Sequence, residues 1–476
     1  MRANPARVVL LLVFLVFFVA GASSAPRRAT PGLVRPAGGL VALVGATVID
    51  GTGAAPVERC TILIEGQRIR ALGRDLALPD GTETIDVAGQ TILPGLIDMH
   101  GHLFTNLGGT YKNQLMPFAR LYLAGGVTTI FTAGEEEPEE ALDFRDAQRA
   151  GTEVGTRIYS PGPYFNHSGN DIDFLGGLDG PDSARAEFAK WKERLDGVKV
   201  YMDITPEEFT AVASAAHAAG LKVTGHLGSL TATQAIALGI DRLEHGLYAM
   251  SEFGRPNPAR PFDVEYLSGL ADADFESGPG AAMIDAIVAN GTVLDPTVVV
   301  LESLFAGQLE LTPDWQRYLA PRTRQVLEQM DKALTSMRAA AAPREEWNEL
   351  VARVLEKQRE LIRRVHKKGG RVVGGTDPVF ADVLPGYGLQ REMEHFVQAG
   401  LTPLETIRTC TRNAAEALGL EKELGSIAPG LSADLIVLAD DPMKDIRALG
   451  STVAVWQAGA RYSPEELRAS VVGKIE

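Results

Sequence analysis

From residue 91 onward the chain repeats one arrangement, a short apolar run followed by a turn and an amphipathic stretch. Eight such runs are readable, at 91–93, 127–131, 157–160, 198–201, 222–225, 242–243, 292–294 and 371–374. Short apolar runs separated by helical segments pair as parallel strands, because a parallel connection needs a crossover long enough to hold a helix. Eight of them predict an α/β fold of the (β/α)8, TIM-barrel type. The helical segments carry their own start signals. Thr205-Pro206-Glu207-Glu208 and Thr402-Pro403-Leu404-Glu405 each place a capping Thr before Pro and a Glu three residues on. Residues 251–279 are polar and rich in Gly and Pro, and predict a long loop after the sixth run. Residues 314–368 are helical in character.

The two ends read differently. Runs at 40–49, 61–64, 68–72 and 83–86 are β-like and are separated by turns such as Asp50-Gly51 and Glu65-Gly66. Strand signals return at 435–438 and 453–456. These predict a small β-sandwich built from both ends, with 26–90 and 421–476 flanking a hydrolase-sized barrel at 91–420. Residues 1–25 have the form of a signal peptide. Arg2 and Arg7 precede an apolar run at 8–20, and Ala20-Gly21-Ala22 supplies small residues for cleavage. The run is short for a membrane span. The expectation is a secreted or periplasmic protein with no stable membrane insertion after cleavage, the alternative being an N-terminal anchor.

The net charge of −15 argues against a phosphate backbone as partner, so no nucleic acid is expected. Only Cys60 and Cys410 are present, and a disulfide between them stays open. With so few thiols, any metal must be held by His and carboxylates. The chain has eight histidines, and their placement is informative. His100 and His102 stand two apart at a strand end, where alternate residues face one side. His226 and His245 each end a later strand, and Asp377 follows the last. Any one of these reads as easily as a structural His or a turn Asp. In a barrel, however, strand C-termini converge on one face, and four imidazoles and a carboxylate suit a divalent ion such as Zn2+. Lys199 sits within the apolar strand 198–201. Burial lowers an amine's pKa and makes it reactive enough to take up CO2 as a carbamate, whereas a snorkelling rim lysine is the plainer reading.

These residues together resemble the amidohydrolase superfamily, in its imidazolonepropionase-like and metal-dependent Xaa-Pro dipeptidase-like branch. The resemblance rests on Thr91-Ile-Leu-Pro-Gly-Leu-Ile-Asp-Met-His-Gly-His102, the Lys199 strand, Gly225-His226, Glu244-His245-Gly246 and Gly375-Thr376-Asp377. It extends through Gly400-Leu-Thr-Pro-Leu-Glu405, Leu424-Gly-Ser-Ile-Ala-Pro-Gly430 and Ala433-Asp434-Leu435, and so covers about residues 40–465. It implies that His100, His102 and Asp377 bind one metal, that His226 and His245 bind a second, and that a carboxylated Lys199 bridges them. It further implies a metal-bridging hydroxide as nucleophile, with Asp377 moving the proton to the leaving amine. Imidazolonepropionase itself resembles a single-metal enzyme without the lysine, so Lys199 tilts the expectation to two divalent ions.

The implied substrate is a small-molecule amide or a dipeptide such as Xaa-Pro, or an N-acyl amino acid. Two alternatives remain: a mononuclear hydrolase or deaminase of a cyclic amidine or imidazolone, and a non-catalytic binding protein. The chain departs from the dipeptidase-like pattern after the third run, where Pro163-Tyr-Phe-Asn-His167-Ser-Gly169 replaces a Gly-Gly-His element. His167 is a candidate substrate contact there. Tyr201 shares the face of Lys199 and is either an oxyanion donor or a packing aromatic. His217, His366 and His395 read as structural or surface residues. Homo-oligomerisation stays open.

Overall fold

The computed structural model describes residues 38–476 except 108, 170–174, 250, 255–261, 308, 310, 313 and 381. The leader segment lies outside the described residues. Among the described residues no helix is long and apolar enough to cross a membrane.

Parallel strands form two arcs. One joins Leu96–Gly101, Val127–Thr132 and Arg157–Tyr159; the other joins Tyr164–Phe165, Val198–Val200, Val223–Gly225, Arg242–Glu244 and Val293–Asp295. Nearly every residue in these strands is buried, as expected when helices cover a parallel sheet. The eighth run is only a single parallel bridge, Val372 to Leu294. Its backbone still spans its neighbours: Val373 N–H donates to Leu294 O at 3.0 Å, and Met99 N–H donates to Gly374 O at 2.9 Å. Capping boxes at Thr205 and Thr402 are present as the sequence predicts, and Thr231 forms a third.

Two expectations need correction. The run at 91–93 is not the first strand of the parallel arcs. Thr91–Pro94 pairs instead with Leu435–Leu438 and with Leu40–Val48. Gly95 lets the chain pass tightly against Thr128, whose Oγ1 would lie 2.1 Å from any added Cβ, and the first arc strand begins at Leu96. The expected loop at 251–279 contains the helix Val264–Ala271, started by Asp263, whose side chain accepts from Glu265 N–H and Tyr266 N–H. The stretch 314–368 is helical as expected, formed by the helices Pro321–Ala341 and Arg344–Lys367 and a short 3-10 turn before them.

The two ends of the chain do meet. They share one eight-stranded sheet in which Leu435–Leu438 and Thr452–Gln457 continue the order set by the N-terminal strands. Its own core contains Leu43, Ile62, Ile92, Leu435 and Trp456. Cys60 belongs to that core and Cys410 to the larger one, and both are buried free thiols.

Candidate metal centre

Parallel pairing sets Lys199 opposite Thr224, and Thr224 opposite Arg242. Residues paired across parallel strands face the same side. This row therefore faces the space enclosed by the arcs, and residues two further along each strand face it too. Those residues are Tyr201, His226 and Glu244. On the first arc His100 and His102 stand in the same relation, and Asp377 follows the Val372 bridge. The sequence-predicted ligands thus converge: His100, His102 and His245 are at most 4% exposed, and Lys199 is 1% exposed. Ring centroids of His100 and His245 lie 4.6 Å apart, and those of His226 and His245 4.4 Å apart.

Asp377 is the hub. Its Oδ1 is 3.1 Å from His102 Nε2 and 3.7 Å from His100 Nε2, and its Oδ2 is 3.7 Å from His245 Nδ1. Burial pushes its carboxyl up, but the His102 hydrogen bond and the neighbouring His245, His102 and Lys199 outweigh this and hold it at about 2. Burial drives the imidazoles of His100 and His226 well below the usual histidine range and also lowers His245. Neutral imidazoles keep the lone pairs that a cation needs.

Two sets of ligand atoms lie within 4.8 Å of one another: His100, His102 and Asp377, and His100, Glu244 and His245. His226 Nε2, His102 Nδ1 and His100 Nδ1 are buried without a hydrogen-bond partner. Buried nitrogens in that condition, beside a charged carboxylate, fit a divalent cation. Thr297 steadies the site from behind, with Oγ1 2.9 Å from His245 Nδ1.

Sequence reasoning missed Glu244 and Asp295. Glu244 is fully buried and forms an ion pair with Lys199; its Oε1 accepts from Thr224 Oγ1 at 2.7 Å. Burial lowers the Lys199 amine, with the Glu244 charge opposing. Asp295 is buried 3.8 Å from His100 Nδ1 and 3.8 Å from Arg242 Nε, and burial raises it far above the usual carboxylate range. A readable signal existed for Glu244: it stands two residues after Arg242, so two charged residues share one face of a short buried strand.

His167 takes another place. Its Nδ1 lies 2.9 Å from Oε1 of Glu208, beside the N-terminus of the helix Pro206–Ala218, and its side chain is 41% exposed. Tyr201 is close to the centre, its ring 4.9 Å from that of His226 and 5.0 Å from that of Tyr164. Burial raises both phenols, so both stay protonated. Of the remaining histidines, His217 binds Asp241, His366 binds Glu405, and His395 is buried against Glu302. Above the centre opens a cleft of about 130 Å³ walled by Phe104, Tyr111, Tyr164, Leu175, Tyr201 and Val379.

The family model for the amidohydrolase family matches residues 91–460. The chain belongs to the amidohydrolase family. As an amidohydrolase it is a hydrolase of C–N bonds, with the TIM-barrel type of fold and a divalent-metal requirement common to the family. Among curated relatives it is 24% identical over 423 residues to an enamidase of Eubacterium barkeri, which covers 86% of this chain and 89% of the relative. It is 26% identical over 398 residues to adenine deaminase 3 of Rhizobium meliloti (strain 1021), covering 81% of this chain but only 52% of that relative. A crystal structure of a Xaa-Pro dipeptidase with bound methionine superposes with a TM-score of 0.66 at 23% identity, over 89% of this chain and all of the other. That likeness concerns the fold.

Proposed function

We propose that this amidohydrolase cleaves the amide bond of a small molecule, a dipeptide such as Xaa-Pro or an N-acyl amino acid, at a centre of two divalent ions, most simply Zn2+. In this reading the two arcs and the Val372 segment make one (β/α)8 barrel, with the sheet of the chain ends as a small β-sandwich beside it. The carrying observation is the convergence of His100, His102, His226, His245, Lys199 and Asp377 at one cleft. Metal held there supplies an acidified water and polarises the scissile carbonyl. Asp377, held as a carboxylate and open to the cleft, would accept the proton that the attacking water releases and return it to the leaving nitrogen. Tyr201 keeps its proton and donates to the carbonyl oxygen. Burial of Lys199 favours its neutral amine, the form that becomes carboxylated.

A single-ion reading, with a cyclic amidine, imidazolone or deaminase-type substrate, has its own support. Lys199 is paired with Glu244, and His100, His102 and Asp377 already form one set of three ligands. Metal analysis of the purified protein and of Lys199→Ala separates the two. About two ions per chain, falling to about one in the variant with loss of activity, is the expected result. About one ion in both, with activity retained, would sink the two-ion reading. A library of Xaa-Pro dipeptides and N-acyl amino acids then tests the substrate.

A further inference from the structure

Immediately after His102 the chain forms a hairpin of strands Phe104–Leu107 and Thr110–Asn113. Its register pairs Thr105 with Lys112 and Asn106 with Tyr111. Successive side chains in a strand face opposite sides, so these two pairs lie on opposite faces of the hairpin. Asn106 and Tyr111, with Phe104, line the substrate cleft. The other face receives Glu476, more than 360 residues further along the chain.

The contacts are specific. Thr105 Oγ1 donates to Glu476 O at 3.2 Å, and Lys112 Nζ pairs with the Glu476 carboxylate. Gln114, 3% exposed, completes the dock. Its Oε1 accepts from Glu476 N–H at 3.0 Å while its Nε2 donates to Glu476 O. The side-chain amide thus pairs with residue 476 as a neighbouring strand's peptide group would. The segment is also pinned from behind. Ile475 is fully buried, its N–H donates to Tyr318 O at 3.0 Å, and its carbonyl accepts from Ala320 N–H at 2.8 Å. Gly473 N–H donates to Arg317 O at 2.9 Å. On its cleft edge the hairpin is tied once more, by Asn106 N–H to Val379 O at 2.8 Å.

We infer that residues 473–476 are a positioning element of the substrate cleft: docked on Thr105, Lys112 and Gln114, they hold the wall that Asn106 and Tyr111 present to substrate. The inference rests on the cleft above the metal centre being the substrate site. The Lys112–Glu476 ion pair is about half exposed on both sides and contributes little by itself. The buried Gln114 pairing is the part whose loss should be felt. Gln114 makes no side-chain capping bond to its helix, so replacing it leaves that helix start intact.

The test compares the metal-loaded parent with Gln114→Leu, Glu476→Gln and a chain ended after Val472. Amide hydrogen exchange at residues 104–113, metal content, and KM and kcat for Ala-Pro are measured. Gln114→Leu and the shortened chain are expected to exchange about tenfold faster or more across 104–113, with metal content unchanged. Their KM should rise several-fold with kcat within about twofold of the parent, while Glu476→Gln, which keeps the backbone pairing, matches the parent. Unchanged exchange at 104–113 in Gln114→Leu would overturn the inference. So would faster exchange spread equally over 96–101 together with loss of metal, since that is a general loss of fold. Should the shortened chain not fold, a chain ended after Ile475, which removes the docked residue and keeps the bonds of Gln114 to Thr105 Oγ1 and Lys112 O, decides in its place. A parent that leaves Ala-Pro intact refutes the dipeptidase reading, and exchange and metal content still decide this one.

Discussion

Three of the six non-glycine residues with positive φ among the described residues stand at the metal centre: His245 at 62°, Thr297 at 44° and Asp377 at 52°. Such backbone costs on the order of 1–3 kcal/mol per residue and persists only where its surroundings impose it. At His245 the reason is visible. Glu244 already faces inward, so an extended strand would send the next side chain outward; the left-handed turn brings His245 in beside it. Space is as tight as the backbone. A Cβ on Gly375 would lie 2.3 Å from Asp295 Oδ1 and 2.5 Å from His100 Cβ. Gly375→Ala is therefore expected to displace His100 and lower metal affinity by about tenfold or more, as disturbance of groups behind a ligand commonly does. Metal content after dialysis checks this, with circular dichroism to confirm the fold; undiminished metal would show that the site can shift to accommodate the methyl.

Helix packing behind the site holds a second, half-buried charge group. Glu302 on the helix Val298–Ala306 accepts from Arg391 at 2.6 and 2.8 Å and lies 3.1 Å from His395 Nε2, both on the helix Tyr387–Gln398. Burial pushes the Glu302 carboxyl up, but Arg391 and His395 outweigh it and hold it at about 2. A folded-state value below the unfolded one contributes stability that is present above about pH 4.5 and lost as pH falls toward 2. Glu302→Gln should remove that acid-side slope, with an effect on the order of 2–3 kcal/mol at neutral pH. Urea midpoints between pH 3 and 7 measure it, and parallel profiles for parent and variant would contradict it. Elements of this kind were unevenly legible. Thr205 and Thr402 announced their helices because a capping box is local. The Val372 segment looked like the other strands in sequence, yet it pairs through a single bridge. The helix Val264–Ala271 was hidden because Gly and Pro around it outweighed its short apolar period.

At the scale of the whole molecule, the parallel arcs enclose Asp98, Glu244, Asp295 and Asp377 against Lys199 and Arg242, all buried from solvent or nearly so. A bound divalent cation offsets part of the charge of the ionised Glu244 and Asp377, so metal should stabilise the fold as well as serve the reaction. By mass action, metal at about 100 times its dissociation constant adds about 2.7 kcal/mol. Calorimetry at fixed pH should show the transition falling by a few degrees on chelation and returning with metal. An unmoved transition would mean that the carboxylates are balanced without it. By itself, the sequence determined the alternating architecture and named the candidate ligands that the fold brings together. Residue type and strand-end position are local properties, and a strand of period two announces which neighbours share a face. Only the tertiary structure decided that Thr91–Pro94 leaves the arcs for the end sheet. It alone placed Glu244 and Asp295 beside the imidazoles, sent His167 to Glu208, and carried Glu476 back to the hairpin beside the cleft. Each of these depends on cross-strand register, a left-handed turn or a contact between residues far apart in the chain, and no local pattern encodes them.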